Sequence, residues 1–387
     1  MCVAWRFLFG AGKRRINIAD MYIGKTTLEE EVKMIDMKSI VQLYNSSEFS
    51  IIKEVNSSRS DSDKRYAFLL RFTDNKELVI KICKNAFTTA DRITGWQKLC
   101  KKYLSIGIHC PQIVNSKNGR PYEITSINNE KYYMWAEEMS KYKTCDEFWG
   151  DDKPKIDLSI IQSAVLESIG KIAASFTDSD LLPFPSAFCV YDTFDSTDTV
   201  DENYANAENF CETAKAHFQE HSEYIDKIWS LFLHNRKIFE PVHRALPKAS
   251  FQADINPSNI LVDEDMNFAG YIDFNLSGTE PVLSYIITND VCGYRLDESD
   301  FEQLMDAGFL KKCDDYPYKN LDHIRKHYEF SDYEKENICL CYNTIYPFSC
   351  WTANGMLSLA IKENKPQHIK PLLDWVYYQL SRDDIAL

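Results

Sequence analysis

Three side chains that carry oxygen lie close together in the stretch FQADINPSNILVDEDMNFAGYIDF, residues 251–274. Asp254 and Asn259 are five residues apart and form the pattern D-x-x-x-x-N, and Asp273 follows 14 residues after Asn259. The short runs ILV and GYIDF indicate two strands, and DEDMNF between them indicates the turn of a hairpin. Because two of these side chains precede the first strand and the third ends the second strand, the hairpin would bring all three together.

This combination suits the transfer of a phosphoryl group from a nucleotide to a hydroxyl. The carboxylate of Asp254 would face the attacking hydroxyl, while Asn259 and Asp273 would hold Mg²⁺ against the nucleotide phosphates. Mg²⁺ prefers hard oxygen ligands and keeps several waters, so two protein ligands suffice. The catalytic loop of protein kinases uses the same spacing, followed by a metal-binding Asp. Each residue alone could be a loop cap or a turn residue, but their occurrence together around a hairpin favours a phosphoryl-transfer site.

A lysine suited to the nucleotide phosphates occurs much earlier, in ELVIKIC. Lys81 stands inside an apolar strand pattern, and burying its ammonium is costly without an anionic partner. The α- and β-phosphates of a nucleotide are such a partner. The alternative is a lysine on an edge strand whose ammonium reaches water. The three oxygen-bearing residues of the hairpin favour the phosphate-binding role.

The first part of the chain predicts an antiparallel sheet that carries one helix. FSIIKEV, RYAFLLRF and ELVIKIC alternate as strands do, and PQIVNS, YEITSI and KYYMWAEEM predict further strands. Between these groups, TTADRITGWQKLCKKYLSIG has apolar residues at helical spacing. Thr88 or Thr89 can cap the start of this helix, and Gly107 can end it.

The remainder predicts mostly helices, with the hairpin among them. A polar stretch, residues 193–209, predicts an insertion or a mobile loop. The predicted helical segments are residues 158–176, residues 208–239 in one or two pieces, and residues 298–312, 332–345 and 352–381. The pattern therefore predicts an α+β fold with two lobes: a small antiparallel-sheet lobe with one helix, and a large, mainly helical lobe.

The predicted domain organisation places the nucleotide between these two lobes. Residues 37–138 form the nucleotide-binding lobe, and residues 139–387 form the catalytic and substrate lobe. Residues 1–36 are predicted to be an N-terminal extension outside the fold, since the stretch before Met37 is acidic and poorly patterned.

Charge is divided unevenly between the two parts of this 387-residue chain. Residues 1–139 contain 22 Lys and Arg against 16 Asp and Glu, a net charge of +6, whereas the remainder contains 22 against 42, a net charge of −20. A basic first part suits a phosphate-bearing ligand, and an acidic second part suits a cationic one and argues against nucleic acid. An acidic surface that only maintains solubility explains the second part equally well.

The sequence also bears on location. No apolar run approaches the ~20 residues that a membrane span requires. The N-terminal MCVAWRFLFGAGKRR has its apolar residues before its basic ones, the reverse of a secretory signal. The 12 cysteines are scattered without a CxxC pair, which favours reduced cysteines. We therefore expect a cytoplasmic protein without a membrane partner, and its oligomeric state is left open.

The motifs QADINPSNILV, residues 252–262, and YIDF, residues 271–274, resemble those of the aminoglycoside phosphotransferase and choline kinase superfamily. These small-molecule kinases typically show H-G-D-x-H-P-x-N-x-L followed by I-D-F or I-D-W. The helix ESIGKIAASF resembles the family segment that precedes the catalytic region. The chain lacks the A-P-E signature of protein kinases after Asp273. The resemblance covers about residues 40–387 and implies a two-lobed, protein-kinase-like fold.

The resemblance also implies roles for individual residues. Asp254 would be the catalytic base, Asn259 and Asp273 would bind Mg²⁺, and Lys81 would hold the phosphates of ATP or GTP. The implied acceptor is a hydroxyl of a small molecule, and the acidic second part favours a cationic one. The backbone that would meet the nucleotide base belongs to the hinge residues Ala136, Glu137, Glu138 and Met139.

The chain departs from the family pattern in its catalytic and phosphate-binding segments. Gln252 stands where a histidine is usual, although a glutamine can also bond to the backbone. The loop VNSSRSDSDK, residues 55–64, has no glycine, so phosphate contacts there would rely on its serines and Arg59. These departures leave a second function open, a nucleotide-binding regulator of the same fold without catalytic activity.

The carboxylate that pairs with Lys81 is not evident from the sequence. The resemblance implies that it comes from the first helix, where Asp91 is the only acidic residue near the start. Asp91 is a candidate for this partner. It could equally be an N-terminal charge favoured by the helix dipole.

Overall fold

The computed structural model describes residues 35–148, 158–289, 298–306, 319–349 and 352–385, together with Leu387. Almost all of the predicted N-terminal extension lies outside the described residues, as does the second half of the helix predicted at residues 298–312.

The first part of the chain forms an antiparallel sheet, as predicted. The elements are α1 (Met37–Gln42), β1 (Phe49–Asn56), β2 (Lys64–Phe72), β3 (Glu77–Lys84), α2 (Ala90–Ser105), β4 (Ile113–Val114), β5 (Glu123–Ile127) and β6 (Glu130–Glu138). The strands are ordered β1-β2-β3-β6-β4 in the sheet, and β5 pairs with the other end of β6.

Helix α2 has the ends that the sequence predicts. The Thr89 side chain accepts a hydrogen bond from the Arg92 N–H at the start of the helix. Gly107 follows the helix with a φ of +81°, a left-handed conformation that favours glycine. The chain can therefore turn back at this point into the segment that leads to β4.

The two faces of the sheet pack into different cores. Ile80, Ile82 and Met134 lie on the face covered by α1, in a cluster of their own. Cys83 and Trp135 lie on the opposite face and belong to the same core as α2 and the helices of the large lobe. This separation follows from the alternation of side chains along a strand, and it makes α2 part of the large core.

The large lobe contains the predicted hairpin and most of the helices. The helical region predicted at residues 208–239 is formed by two helices, which was one of the two predicted alternatives. The elements are β7 (Lys143–Thr144), α3 (Leu158–Ser175), α4 (Glu202–His217), α5 (Ser222–Ala245), β8 (Lys248–Phe251), β9 (Ile260–Val262), β10 (Phe268–Tyr271), β11 (Gly278–Pro281), α6 (Val282–Thr288), α7 (Lys319–Arg325), α8 (Asp332–Ile345), α9 (Thr352–Lys362) and α10 (Ile369–Leu380). Short 3-10 turns occur at Cys145–Phe148, Asp178–Asp180, Gln219–His221, Glu298–Met305, Tyr346–Phe348 and Pro366–His368.

The loop predicted at residues 193–209 is wrong in its second half, where α4 begins. Asp201 caps this helix by accepting a hydrogen bond from the Tyr204 N–H at 3.0 Å. The same carboxylate is buried and forms an ion pair with Arg236 of α5. The polar residue Asp201 in this segment therefore serves as a buried helix cap and ion-pair partner.

The observed architecture confirms the predicted α+β fold with a small sheet lobe and a large helical lobe. The exact domain bounds stay a prediction, since α2 precedes the end of the sheet in sequence yet shares the large core. None of the helices in the described ranges combines the length and the apolar character needed to cross a bilayer.

Candidate active site

The predicted hairpin is formed by β9 and β10, which pair antiparallel. Ile260 lies opposite Tyr271, and Leu261 lies opposite Gly270. The turn is closed by Asp263, whose side chain accepts a hydrogen bond from the Asn267 N–H at 2.8 Å. The segment before β9 and the segment after β10 consequently lie at one end of the hairpin, as the sequence predicts.

Asp254 and Asn259 are joined directly before β9. The Asn259 amide nitrogen donates to the Asp254 backbone oxygen at 3.0 Å and to its carboxylate Oδ2 at 3.1 Å. Ala253, which precedes them, has a φ of +74°. A non-glycine residue in this conformation stores backbone strain, which is often found at functional sites.

The environment of Asp254 favours its protonated form more than water does. Burial raises the pKa of Asp254 above its ordinary value, and the negative charge of Asp273 acts in the same direction. Hydrogen bonds from Asn256 and Asn259 and the positive charge of Arg59 partly oppose this shift. Asp254 is therefore a stronger proton acceptor than an exposed aspartate.

Asp273 is held beside this pair by backbone contacts. The Ile272 N–H donates to the Asn259 backbone oxygen at 2.9 Å. The buried Gln252 side chain donates to the backbone oxygens of Ile272 at 3.0 Å and Asp273 at 2.8 Å. Asp273 itself has a φ of +58°. Gln252 thus bonds to the backbone, as expected from the sequence.

Lys81 points toward the hairpin from β3. Its Nζ lies 3.3 Å from Asp273 Oδ1 and 3.1 Å from Glu137 Oε1. The Lys81 side chain is 18% exposed, and that of Asp273 is 38% exposed. The ion pair therefore joins the two lobes at a place that solvent can reach from the Asp273 side.

The carboxylate that pairs with Lys81 inside the small lobe comes from the neighbouring strand β6. Lys81 lies opposite Trp135 in the sheet, and Glu137 is two residues further along the same strand. The Trp135 indole N–H donates to Glu137 Oε1 at 2.7 Å. Asp91 lies in the first turn of α2 and is exposed. The candidate Asp91 is therefore wrong, because a sheet residue occupies the position beside the ammonium.

The two carboxylates determine the ionisation of Lys81. Burial by itself lowers the pKa of the Lys81 ammonium, but attraction to Asp273 and Glu137 outweighs burial, so the net pKa lies above its ordinary value. Lys81 is consequently a permanent cation at physiological pH, as phosphate binding requires.

The donor atoms of this site fit a magnesium ion. The Asn259 amide nitrogen is used in bonds to Asp254, so the amide oxygen is the atom that would bind a metal ion together with the Asp273 carboxylate. Both are hard oxygen donors, which Mg²⁺ prefers. In the described ranges, this site included, no three His, Cys, Asp or Glu side chains are grouped around a common point, so Mg²⁺ here would rely on Asn259 and Asp273 together with waters and nucleotide phosphates.

The glycine-free loop between β1 and β2 uses its serines for its own structure. The Ser58 hydroxyl is buried and accepts from the Arg65 N–H at 2.9 Å, and the Ser60 and Ser62 hydroxyls lie 2.9 Å apart. Arg59 is exposed, and its charge lowers the pKa of Asp254. Of the groups predicted to contact phosphate in this loop, Arg59 is the one whose charge reaches the site.

Part of the backbone of the predicted hinge is hydrogen-bonded within the small lobe. Ala136, Glu137 and Glu138 lie within β6, between β3 and β4. The Glu138 N–H donates to the Gln112 oxygen at 3.0 Å, and the Met139 N–H donates to the Glu77 oxygen at 3.3 Å. These two N–H groups are therefore not available to a nucleotide base.

The sequence interpretation missed the side chain of Glu137. It treated Glu137 as a backbone contact, although strand alternation contained the necessary signal. Trp135 and Glu137 share one face of β6, and the alternation of β3 places Lys81 on the same face as Cys83. Without the register between β3 and β6, however, these two faces cannot be matched.

Comparison with known proteins gives structural similarity alone. No protein-family model matches the chain, and no curated protein matches its sequence. The microcompartment-associated aminopropanol kinase has a TM-score of 0.46 and 9% identity, over 89% of this chain and 94% of that one. The amicoumacin kinase in complex with AMP-PNP, Ca²⁺ and Ami has a TM-score of 0.45 and 12% identity, over 92% and 100%. An aminoglycoside phosphotransferase from Alicyclobacillus acidocaldarius has a TM-score of 0.43 and 12% identity, over 87% and 95%. At these low values, the similarities carry no argument about what this chain binds or does.

Proposed function

We propose that the chain is a small-molecule kinase that transfers the γ-phosphoryl group of ATP or GTP to a hydroxyl of a small acceptor. One observation carries the proposal. Lys81 of the sheet lies 3.3 Å from Asp273 of the hairpin, and Asp273 lies beside the bonded pair of Asp254 and Asn259. These contacts support a shared site in which Lys81 would bind phosphate, Asn259 and Asp273 would hold the metal ion and Asp254 would act as the base, the set of groups that phosphoryl transfer requires.

Asp254 is proposed to act as the general base. Its carboxylate accepts the proton of the acceptor hydroxyl while the hydroxyl oxygen bonds to the γ-phosphorus. The bond from the γ-phosphorus to its bridging oxygen breaks, and the nucleoside diphosphate leaves. The Asn259 amide holds Asp254 in place, and burial raises the pKa of Asp254, which makes it the better proton acceptor.

Lys81 and the metal ligands are proposed to position the nucleotide. The Lys81 ammonium binds the α- and β-phosphates from the small lobe, and its fixed positive charge offsets their negative charge. Asn259 and Asp273 would hold Mg²⁺, which when bound neutralises phosphate charge. Because Lys81 already contacts Asp273, the two lobes present these groups to the same triphosphate.

The acceptor is proposed to be cationic, such as an aminoglycoside, choline or another amino alcohol. The support is the net charge of −20 over residues 140–387, where 42 acidic residues oppose 22 basic ones. An acidic surface attracts cationic ligands and raises their rate of association. This proposal concerns the class of acceptor alone.

A screen with labelled nucleotide tests the function. The full-length protein is incubated with [γ-³²P]ATP or GTP, Mg²⁺ and a panel of hydroxyl-bearing amines and neutral metabolites. We expect transfer to at least one cationic acceptor. Asp254→Ala should lower kcat by about 10²–10⁴, the usual contribution of a general base, with nucleotide affinity kept. Asp265→Ala removes an exposed carboxylate from the turn of the same hairpin and should leave kcat unchanged.

The outcomes separate the candidate functions. Nucleotide binding that requires Mg²⁺, without transfer or hydrolysis, would favour the non-catalytic regulator. Absence of both binding and transfer would refute a nucleotide-dependent role altogether. Equal loss of kcat in the Asp254 and Asp265 variants would show that the effect is not specific to the site.

A further inference from the structure

We propose that Glu137 is the residue that positions Lys81 for the nucleotide, and that no acid of helix α2 takes part. The effect of Glu137 on nucleotide binding rests on the proposed function, whereas the pairing of Glu137 with Lys81 is a contact between β3 and β6. Glu137 would act through Lys81, so it is a positioning residue and does not itself touch the substrate.

The pairing follows from the register of the sheet. Lys81 of β3 is directly opposite Trp135 of β6, and Glu137 is the next residue of β6 on the same face. Diagonal neighbours in an antiparallel pair are close enough for long side chains to meet, and the observed distance is 3.1 Å. The bond from the Trp135 indole at 2.7 Å holds the same carboxylate oxygen. Glu137 is therefore fixed before any ligand arrives.

Helix α2 offers no competing carboxylate. Its sequence, ADRITGWQKLCKKYLS, has Asp91 as its one acidic residue, and Asp91 is exposed. The buried positions that follow along the helix are mainly apolar, including Ile93, Trp96 and Leu99. The helix therefore cannot place a carboxylate beside Lys81 without being rebuilt.

Helix α2 is instead bonded to the large lobe. Lys102 forms an ion pair with Asp180 at 2.9 Å, and the Tyr103 hydroxyl donates to the Ser250 backbone oxygen at 3.2 Å. Arg92 donates to the Phe194 backbone oxygen. Because the helix is tied to the large lobe and the Lys81–Glu137 pair lies in the sheet, the pair does not depend on the position of the helix.

The two partners of Lys81 then have different roles. Asp273 belongs to the other lobe, so its contact with Lys81 depends on how the lobes are placed, whereas Glu137 is on the strand hydrogen-bonded to that of Lys81. The nucleotide phosphates can replace Asp273 beside the ammonium while Glu137 continues to hold it. Glu137 therefore holds the Lys81 ammonium in the same place whether Asp273 or a nucleotide phosphate contacts it.

The first arm of the test requires no nucleotide. The rate of acylation of Lys81 by acetic anhydride is measured by mass spectrometry in the full-length protein, with Lys102 as an internal reference. Glu137→Gln should raise the rate at Lys81 about tenfold, because the amine loses the partner that restrains it. Glu137→Asp should restore part of the protection. Asp91→Asn and Glu138→Gln, an exposed neighbour on β6, should leave the rate unchanged.

The second arm measures nucleotide binding and turnover. Glu137→Gln should raise the Kd and KM for the nucleotide about ten- to a hundredfold, as for the loss of a charged hydrogen bond, with the acceptor KM unchanged. A merely structural role would also weaken acceptor binding and raise acylation at Lys102.

The outcomes keep the two proposals apart. The inference is overturned if Lys81 is acylated at the wild-type rate in Glu137→Gln, or if the rate at Lys81 increases in Asp91→Asn. Either result holds whether or not the protein binds nucleotide. Faster acylation in Glu137→Gln together with no nucleotide binding by the wild-type protein supports the pairing and refutes the proposed function. Weaker nucleotide binding in Asp91→Asn than in Glu137→Gln would assign the positioning role to the helix instead.

Discussion

A close approach of two backbones at Gly270 gives a sharp prediction about how the hairpin is held. Gly270 of β10 lies beside His109, in the segment between α2 and β4. A Cβ added to Gly270 would lie 1.7 Å from the His109 oxygen, 2.6 Å from its carbonyl carbon and 2.8 Å from its nitrogen. All three atoms belong to the backbone, so no side-chain rotation can relieve the clash. Gly270→Ala must therefore move the hairpin or the segment of His109.

The size of the effect follows from the bonds that this movement breaks. The His109 N–H donates to the Ala269 oxygen at 3.0 Å, and the Tyr271 N–H donates to the His109 oxygen at 2.9 Å. Each lost bond costs about 0.5–1.5 kcal/mol, and a buried group left without a partner costs about 1–3 kcal/mol. We expect Gly270→Ala to lower the free energy of unfolding by about 2–4 kcal/mol.

The measurement is urea denaturation followed by far-UV circular dichroism. Gly119→Ala is the matched control, since Gly119 has a φ of +77° but no atom within 4 Å of an added Cβ. Its cost should be that of a left-handed backbone alone, about 1–2 kcal/mol. Because Asp273 follows Gly270 by three residues, Gly270→Ala should also weaken Mg²⁺-dependent nucleotide binding, and Gly119→Ala should not.

Equal urea midpoints for the two variants would refute this reasoning, because they would show that the close approach of Gly270 to the His109 backbone costs no more than a left-handed backbone at Gly119. If Gly270→Ala is clearly destabilised but keeps its nucleotide affinity, the backbone contact between Gly270 and His109 stabilises the fold without positioning Asp273.

Two further predictions concern buried polar groups near the site. Burial raises the pKa of Glu280 to about 7 despite a hydrogen bond from Ser186. The folded state thus favours the protonated acid. The protonated Glu280 therefore contributes stability that is complete below about pH 4.5 and is lost as the pH rises through about 7. We expect urea denaturation at pH 5 and pH 8 to show a loss of up to about 3 kcal/mol in the wild type and little loss in Glu280→Gln; a parallel loss in both would contradict the assignment. Gln252→Ala removes the donors to Ile272 and Asp273 and should lower kcat/KM about tenfold, whereas Gln252→His should retain activity; full activity of the alanine variant would show that these bonds do not matter.

Much of the site could be predicted because its residues are close in the chain. Asp254, Asn259 and Asp273 fall within 20 residues, and a hairpin is specified by two short strands and a turn. The Thr89 cap of α2 could be recognised for the same reason. Such features depend on the conformations available to short segments, and these conformations are encoded by side-chain period and turn chemistry.

The features that the sequence interpretation missed or misplaced join residues far apart. Glu137 is 56 residues from Lys81 and meets it through the register of β3 and β6. The N–H groups of Glu138 and Met139 donate to the backbone oxygens of Gln112 and Glu77, so these two groups are not available to a nucleotide base.

Local patterns along the chain were thus sufficient to predict the kinds of element, the hairpin and the chemical groups that the hairpin carries. The folded chain was needed to reveal which carboxylate holds Lys81, which hinge N–H groups are already bonded, and that Gly270 must have no side chain beside His109. The physical reason is that strand period and turn chemistry act over a few residues. Strand register and the meeting of distant backbones depend instead on how the whole chain buries its apolar surface.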